Sequence, residues 1–139
     1  MTVHAATPYL ILNGKASEAI SHYEQALGAT VASRQRFGDV DQSCPEAMRD
    51  RIMHAELRVG AATLMMSDGP GEGSAPSGGA VSVALHLDDS EELGRIFGAL
   101  SESGTVIQPV IDAPWGGKFG ALNDRFGVSW MFNCTTSPS

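Results

Sequence analysis

IMHAELRVGAATLMMSD, residues 52–68, is the stretch on which the rest of the chain is organised. Met53, Ala55, Leu57 and Val59 alternate with His54, Glu56 and Arg58, the period-two pattern of a strand with one buried and one polar face. Gly60-Ala61 suits a two-residue type II′ turn, with glycine at its first central position. If Val59 pairs with Ala62, then His54 lies opposite Ser67, Glu56 opposite Met65 and Arg58 opposite Thr63. Leu64 and Met66 then join the apolar face, as a correct register requires. The hairpin thus displays a polar, titratable face.

Before it, PYLIL (8–12) reads as a short strand. Ala16, Ala19, Ile20, Tyr23, Ala26 and Leu27 recur at helical spacing, with Gly28 as the stop. Residues 30–37, TVASRQRF, predict an edge strand of mixed polarity. The polar run 38–51 is too long for a tight turn and is expected to be a lid, a binding loop or disordered. After the hairpin comes the Gly/Ser/Pro segment 69–79, and then the pattern restarts. VSVALHL (81–87) is a strand; Asp88, Asp89 and Ser90 offer N-caps; Leu93, Ile96, Phe97 and Leu100 form a helix stripe that Gly104 ends. Residues 105–111 are a strand, and 119–122 with 128–134 form a hairpin around 124–127.

The order strand, helix, three strands therefore occurs twice, at an offset of roughly 65 to 75 residues, which marks an internal duplication of a βαβββ unit. The expected fold is α+β: one domain, 1–139, with module one at 7–68, a linker at 69–79 and module two at 80–134. The helices are expected outside a mixed sheet whose inner surface forms a cleft.

Composition narrows the function. With 42% hydrophobic and 18% charged residues the chain is ordinary globular material. A net charge of −7 with only nine Lys and Arg excludes a nucleic-acid surface, which needs a basic patch. No basic amphipathic run points to a membrane surface, and no apolar run reaches the length of a membrane span. The opening MTVHAATPYL has neither cationic leader nor apolar signal core, so a cytoplasmic location is expected. Cys44 and Cys134 have no CxxC spacing and read as free thiols.

AISHYEQALG (19–28), LMMSDG (64–69) and NDRFGVSWMFN (123–133) resemble the helix and module-closing strands of the vicinal oxygen chelate superfamily, the glyoxalase, bleomycin-resistance and extradiol-dioxygenase group. Within it the order of PYLILNGKASEAISHYEQALGA, MHAELRVG, LMMSD and PWGGKFGALNDRFGVSWMFN is similar to the PhnB-like branch. The resemblance implies paired βαβββ modules and a homodimer. It also implies a divalent metal held by His and Glu from the first and last strand of each module. Those four places fall near Pro8, Met65, Ser82 and Met131, none of which suits Zn, Ni or Fe, and their neighbours Tyr9, Leu64, Met66, Val83, Trp130 and Phe132 are no better. No metal and no cofactor is therefore expected.

Parity assigns the open face. With Met65 and Met131 it carries Thr63, Ser67, Ser82, Ala84, His86, Ser129 and Asn133, and through the hairpin His54, Glu56 and Arg58. The opposite parity, from Tyr9 and Ile11 through Leu57, Leu64 and Met66 to Val83, Leu85, Trp130 and Phe132, is apolar and expected to face the helices. Candidate ligand-binding residues are His54, Glu56, Arg58, Met65, Ser67, His86, Met131 and Trp115, the last able to close over a ligand from PWGGKFG. His54 and Glu56 are also candidates for acid–base catalysis, and with His86 form an alternative, displaced metal set. The plain structural alternative is that Glu56 and Arg58 neutralise each other on a solvated sheet. Asp68 and Asp124 are expected to cap turns. The leading expectation is a metal-free protein that sequesters an unknown small molecule; the rival is a lyase or isomerase working through His54 and Glu56.

Overall fold

The hairpin of residues 52–68 is the centre of a four-stranded sheet. In the computed structural model, which describes residues 3, 5–69, 81–113 and 116–135, β3 (Ile52–Val59) and β4 (Ala62–Ser67) pair antiparallel with Val59 opposite Ala62, Arg58 opposite Thr63 and Glu56 opposite Met65. Gly60 turns the chain at φ 57°, which fits the type II′ turn. The expected linker at 69–79, Gly69 apart, lies outside the described residues, as do His4 and Trp115.

β1 (Tyr9–Ile11) joins β4 in parallel and β2 (Thr30–Arg36) joins β3 antiparallel, giving the order β1-β4-β3-β2 with β2 at an edge, as its mixed polarity predicts. α1 (Ala16–Leu27) buries Ala16, Ala19, Ile20, Tyr23 and Ala26, the expected stripe, and Gly28 ends it in the left-handed conformation that glycine adopts without strain. Ala55, Leu57, Leu64 and Met66 bury the sheet's other half of this core.

The hairpin departs from its predicted register at one end. Gln35 pairs with His54 but Arg36 pairs with Ile52, so Met53 is an extra residue, a β-bulge. Ile52 and Ala55, three positions apart, are therefore both fully buried, while Met53 is only half-buried.

The polar run 38–51 is not structureless. The short helix α2 (Phe37–Val40) and a 3₁₀ turn (Glu46–Met48) fold it back, so that the Phe37 and Gly38 amides donate to the Arg51 and Arg49 carbonyls at 3.0 and 3.1 Å. A Cβ on Gly38 would lie 3.1 Å from Arg49 Cβ, and this close approach explains the glycine. Between the two turns, the Ser43 hydroxyl and amide both donate to Asp41 and hold its carboxyl below the usual carboxylate range.

The second half repeats the plan. β5 (Val83–Leu87), α3 (Ser90–Ser101), β6 (Thr105–Asp112), β7 (Lys118–Asn123) and β8 (Ser129–Cys134) give the order β5-β8-β7-β6. Asp89 caps α3, accepting from the Glu91 and Glu92 amides at 2.9 and 3.4 Å. The helix ends at Ser101, three residues before Gly104. Its Leu93, Ile96 and Leu100 are buried, as are Leu122, Trp130 and Phe132 of the sheet. A Cβ on Gly120 would sit 2.9 Å from the Phe97 ring, so only glycine lets α3 lie this close to β7. The chain thus divides into two compact units, Met1–Pro76 and Ser77–Ser139, each a βαβββ repeat with its own four-stranded mixed sheet.

Candidate functional site

The first unit's open face is built outward from β3. Arg58, Glu56 and His54 lie in a row on it, flanked on β2 by Thr30, Ser33 and Gln35 and on β4 by Thr63 and Met65. Met65 is in turn the parallel partner of Tyr9 on β1. Strand partners share a face, so Tyr9 belongs to the open face and is 46% exposed, and Ile11 is 41% exposed. This corrects the sequence-based placement of both residues in the core. The motif alignment puts Pro8 opposite Met65, and one residue of slip reverses every side chain of a strand.

Tyr9 reaches across β4, and its hydroxyl lies 3.0 Å from His54 Nδ1, with ring centroids 5.6 Å apart. On the far side of the imidazole, Nε2 is 4.0 Å from Glu56 Oε1, and the two side chains are 32% and 30% exposed. That distance is too long for a direct hydrogen bond but close enough for the carboxylate to favour a proton on Nε2. In the tautomer that carries its proton on Nε2, Nδ1 accepts a hydrogen bond from the Tyr9 hydroxyl. The result is a half-buried Tyr9–His54–Glu56 array beside the Met65 thioether, able to bind a polar group or move a proton.

The other predicted residues divide. Arg58 is exposed at the end of the row. Ser67, expected opposite His54 on the open face, is 6% exposed; its hydroxyl donates to the Ile52 carbonyl and accepts from the Gly69 amide. The bulge at Met53 breaks the regular pairing just before it and turns its hydroxyl into the chain's own bonds. In the second unit, Met131 pairs with Ala84 and is 37% exposed, and His86 pairs with Asn133 on the same face. Beside them the Ser82 and Ser129 hydroxyls lie 2.5 Å apart. Trp115 lies outside the described residues.

Of the four places the resemblance gives for a metal, Met65 has Tyr9, next to Pro8, as its strand partner, and Met131 has Ala84, two residues from Ser82. A phenol, a methyl group and two thioethers do not fit a zinc, nickel or iron site. Among the described residues no three His, Cys, Asp or Glu side chains gather to hold a metal.

Two carboxylates near these faces serve the backbone. Asp124 closes the β7–β8 turn as expected, taking the Phe126 and Val128 amides at 2.9 and 3.0 Å, and also holds the Trp130 indole N–H at 2.9 Å. Asp68 is not a turn cap. It accepts the Gly14, Ala16 and Ile52 amides at 2.9, 2.8 and 2.8 Å, which ties the start of α1 to the start of β3. It supplies from a distance the cap that Lys15 does not give α1.

A family model described as 3-demethylubiquinone-9 3-methyltransferase matches residues 4–132. The chain belongs to this PhnB-like family. Its relative YjdN of Escherichia coli is 33% identical over 137 residues, covering 91% of this chain and 92% of that one. The crystal structure of PA1353 from Pseudomonas aeruginosa is 40% identical and superposes with a TM-score of 0.83 over 97% of this chain and 100% of that one. The PhnB protein of Bacillus cereus is 25% identical with a TM-score of 0.80, over 95% and 100% of the two chains. Domains of the glyoxalase and bleomycin-resistance/dioxygenase group share the fold of this PhnB-like chain, as expected of the vicinal oxygen chelate superfamily. No helix among the described residues is long and apolar enough to cross a membrane.

Proposed function

We propose that this PhnB-like chain binds and sequesters a small molecule on the open face of its first unit, through Tyr9, His54, Glu56, Arg58 and Met65, without a metal. The observation that carries this reading is the Tyr9–His54–Glu56 array, polar and about a third exposed, set beside an apolar thioether. A few convergent polar groups next to adaptable apolar surface are what a small-molecule site requires. The donors at the superfamily's metal positions support the metal-free part. Exposed edge strands β2 and β6 support assembly as a homodimer, and two free cysteines fit the reducing cytoplasm.

The test is a thermal-stabilisation screen of small molecules on metal-analysed protein, since a ligand of the native state alone raises stability by mass action. A hit whose effect is lost in His54→Ala and Glu56→Ala supports the reading. Stoichiometric zinc, nickel, iron or manganese defeats the metal-free part, and hits indifferent to both substitutions defeat the site. The methyl transfer in the family's description makes the opposite forecast, that a sulfonium methyl donor stabilises the protein.

A further inference from the structure

We propose that Tyr9 is the group through which this face takes its ligand, and that the ligand carries a weakly acidic hydroxyl of the enol or phenol class. The inference rests on the binding reading above and goes beyond it in naming the contact atom and the chemistry it selects.

The direction of one hydrogen bond decides which atom faces the ligand. Glu56 lies on the Nε2 side of His54, so the imidazole proton belongs there and the Tyr9 hydroxyl donates to Nδ1 at 3.0 Å. With its proton committed inward, the Tyr9 oxygen presents lone pairs to solvent. It is an acceptor and favours a ligand that donates. Carbonyls, ethers and carboxylates offer no such proton.

Behind that acceptor stands a base. The His54 imidazole lies within hydrogen-bond reach of the Tyr9 oxygen, and a base so placed discriminates among donors by their acidity. An alcohol binds as a neutral donor. An enol or phenol can pass its proton to the Tyr9 oxygen while the Tyr9 proton passes to His54 Nδ1. One O–H bond breaks on the ligand and one re-forms on Tyr9; one N–H forms on His54. The products are a ligand oxyanion hydrogen-bonded by the Tyr9 hydroxyl and an imidazolium facing the Glu56 carboxylate. Of the other groups around His54, Gln35 on β2 is neutral and Arg58, two residues beyond Glu56 on β3, adds a positive charge that favours the anion. Met65, between Tyr9 and Glu56 in the ladder, offers its thioether to a planar ring.

The probe is 4-nitrophenol, whose absorbance separates phenol from phenolate, with 4-nitroanisole as the same ring lacking the proton. On the acid side of the free phenol's midpoint, wild type is expected to bind nitrophenol with the phenolate band present, and nitroanisole about tenfold more weakly. Tyr9→Phe, with an unchanged melting temperature, is expected to lose about tenfold in nitrophenol affinity and to bind the two probes equally. His54→Gln keeps a partner for Tyr9 but removes the base, and is expected to bind nitrophenol without the phenolate band. Equal affinity of wild type for both probes overturns the proposal, as does a phenolate band that survives in Tyr9→Phe. If neither probe binds while a screening hit still depends on His54 and Glu56, the proposal fails and the binding site stands. If hits ignore His54 and Glu56, the site itself fails.

Discussion

Strand order β1-β4-β3-β2 in the first unit and β5-β8-β7-β6 in the second lay out the same surface twice, and each stands a methionine, Met65 or Met131, on its closing strand. Beside Met65 the neighbouring strands place Tyr9 and Glu56, with His54 next in the row; beside Met131 they place Ala84 and Ala121. The units are also fastened differently. Asp68 joins three separate segments, whereas Asp124 takes the Phe126 and Val128 amides of its own turn together with the nearby Trp130 indole. Core periodicity and ladder hydrogen bonds are common to both units and suffice for the fold. The open faces are under no such constraint, and there the chemistry has diverged.

The largest expected effect separates the two fastenings. Asp68→Ala leaves the Gly14, Ala16 and Ile52 amides without their acceptor in a buried setting, and a loss of about 3 kcal/mol or more is expected in urea unfolding. Asp124→Ala is expected to cost less, about 1–2 kcal/mol, because the turn amides can turn to water and only the indole N–H stays buried. Equal losses would remove the distinction between long-range and local fastening.

A double-mutant cycle sharpens the second unit's half of the comparison. Trp130→Phe removes the indole N–H, and a coupling of about 1 kcal/mol with Asp124→Ala is expected. Additive losses would show that the indole bond carries no stability. Tyr9→Phe, by contrast, alters a half-exposed hydroxyl of the open face and is expected to change stability by less than about 0.5 kcal/mol. A larger loss would make the Tyr9–His54 bond part of the first unit's scaffold.

The smallest effects belong to the surface pairs of the second unit. Arg95 holds the Glu92 carboxyl, and Lys118 the Asp112 carboxyl, below the usual carboxylate range. Groups lowered in the folded state stabilise it above their unfolded values, and that contribution disappears as pH falls through the folded values. Asp112→Asn should therefore lower the neutral-pH unfolding midpoint slightly, with the difference vanishing in strong acid and shrinking in high salt. A difference that persists in acid would contradict the pairing.

Much of this was legible in the sequence where one periodicity dominates. Residues 54–59 alternate strictly and Leu64 and Met66 continue the buried face beyond the turn, so both the strand pair and its register up to Ala55 are legible. The α1 and α3 stripes are equally direct, being set by helical spacing and by Gly28 and Asp89 at their ends. What was not legible depends on single-residue offsets. The bulge at Met53 leaves no compositional mark, and the regular β3–β4 pairing stops at Ala55 and Met66, short of His54 and Ser67. Tyr9 sits in a strand of three residues, too short for alternation to assign its face, and only its partner Met65 does so. Asp68 looks like any aspartate after a strand, because its partners Gly14 and Ala16 are more than fifty residues away.

Calorimetric titration of a screening hit into wild type, His54→Ala and His86→Ala tests the central claim most directly. Both histidines lie on open faces, His54 on β3 and His86 on β5, but of the two only His54 has a hydroxyl on one nitrogen and a carboxylate near the other. Binding weakened at least about tenfold by His54→Ala, about 1.4 kcal/mol, and unchanged by His86→Ala is the predicted result. Binding that survives His54→Ala and falls with His86→Ala would contradict it.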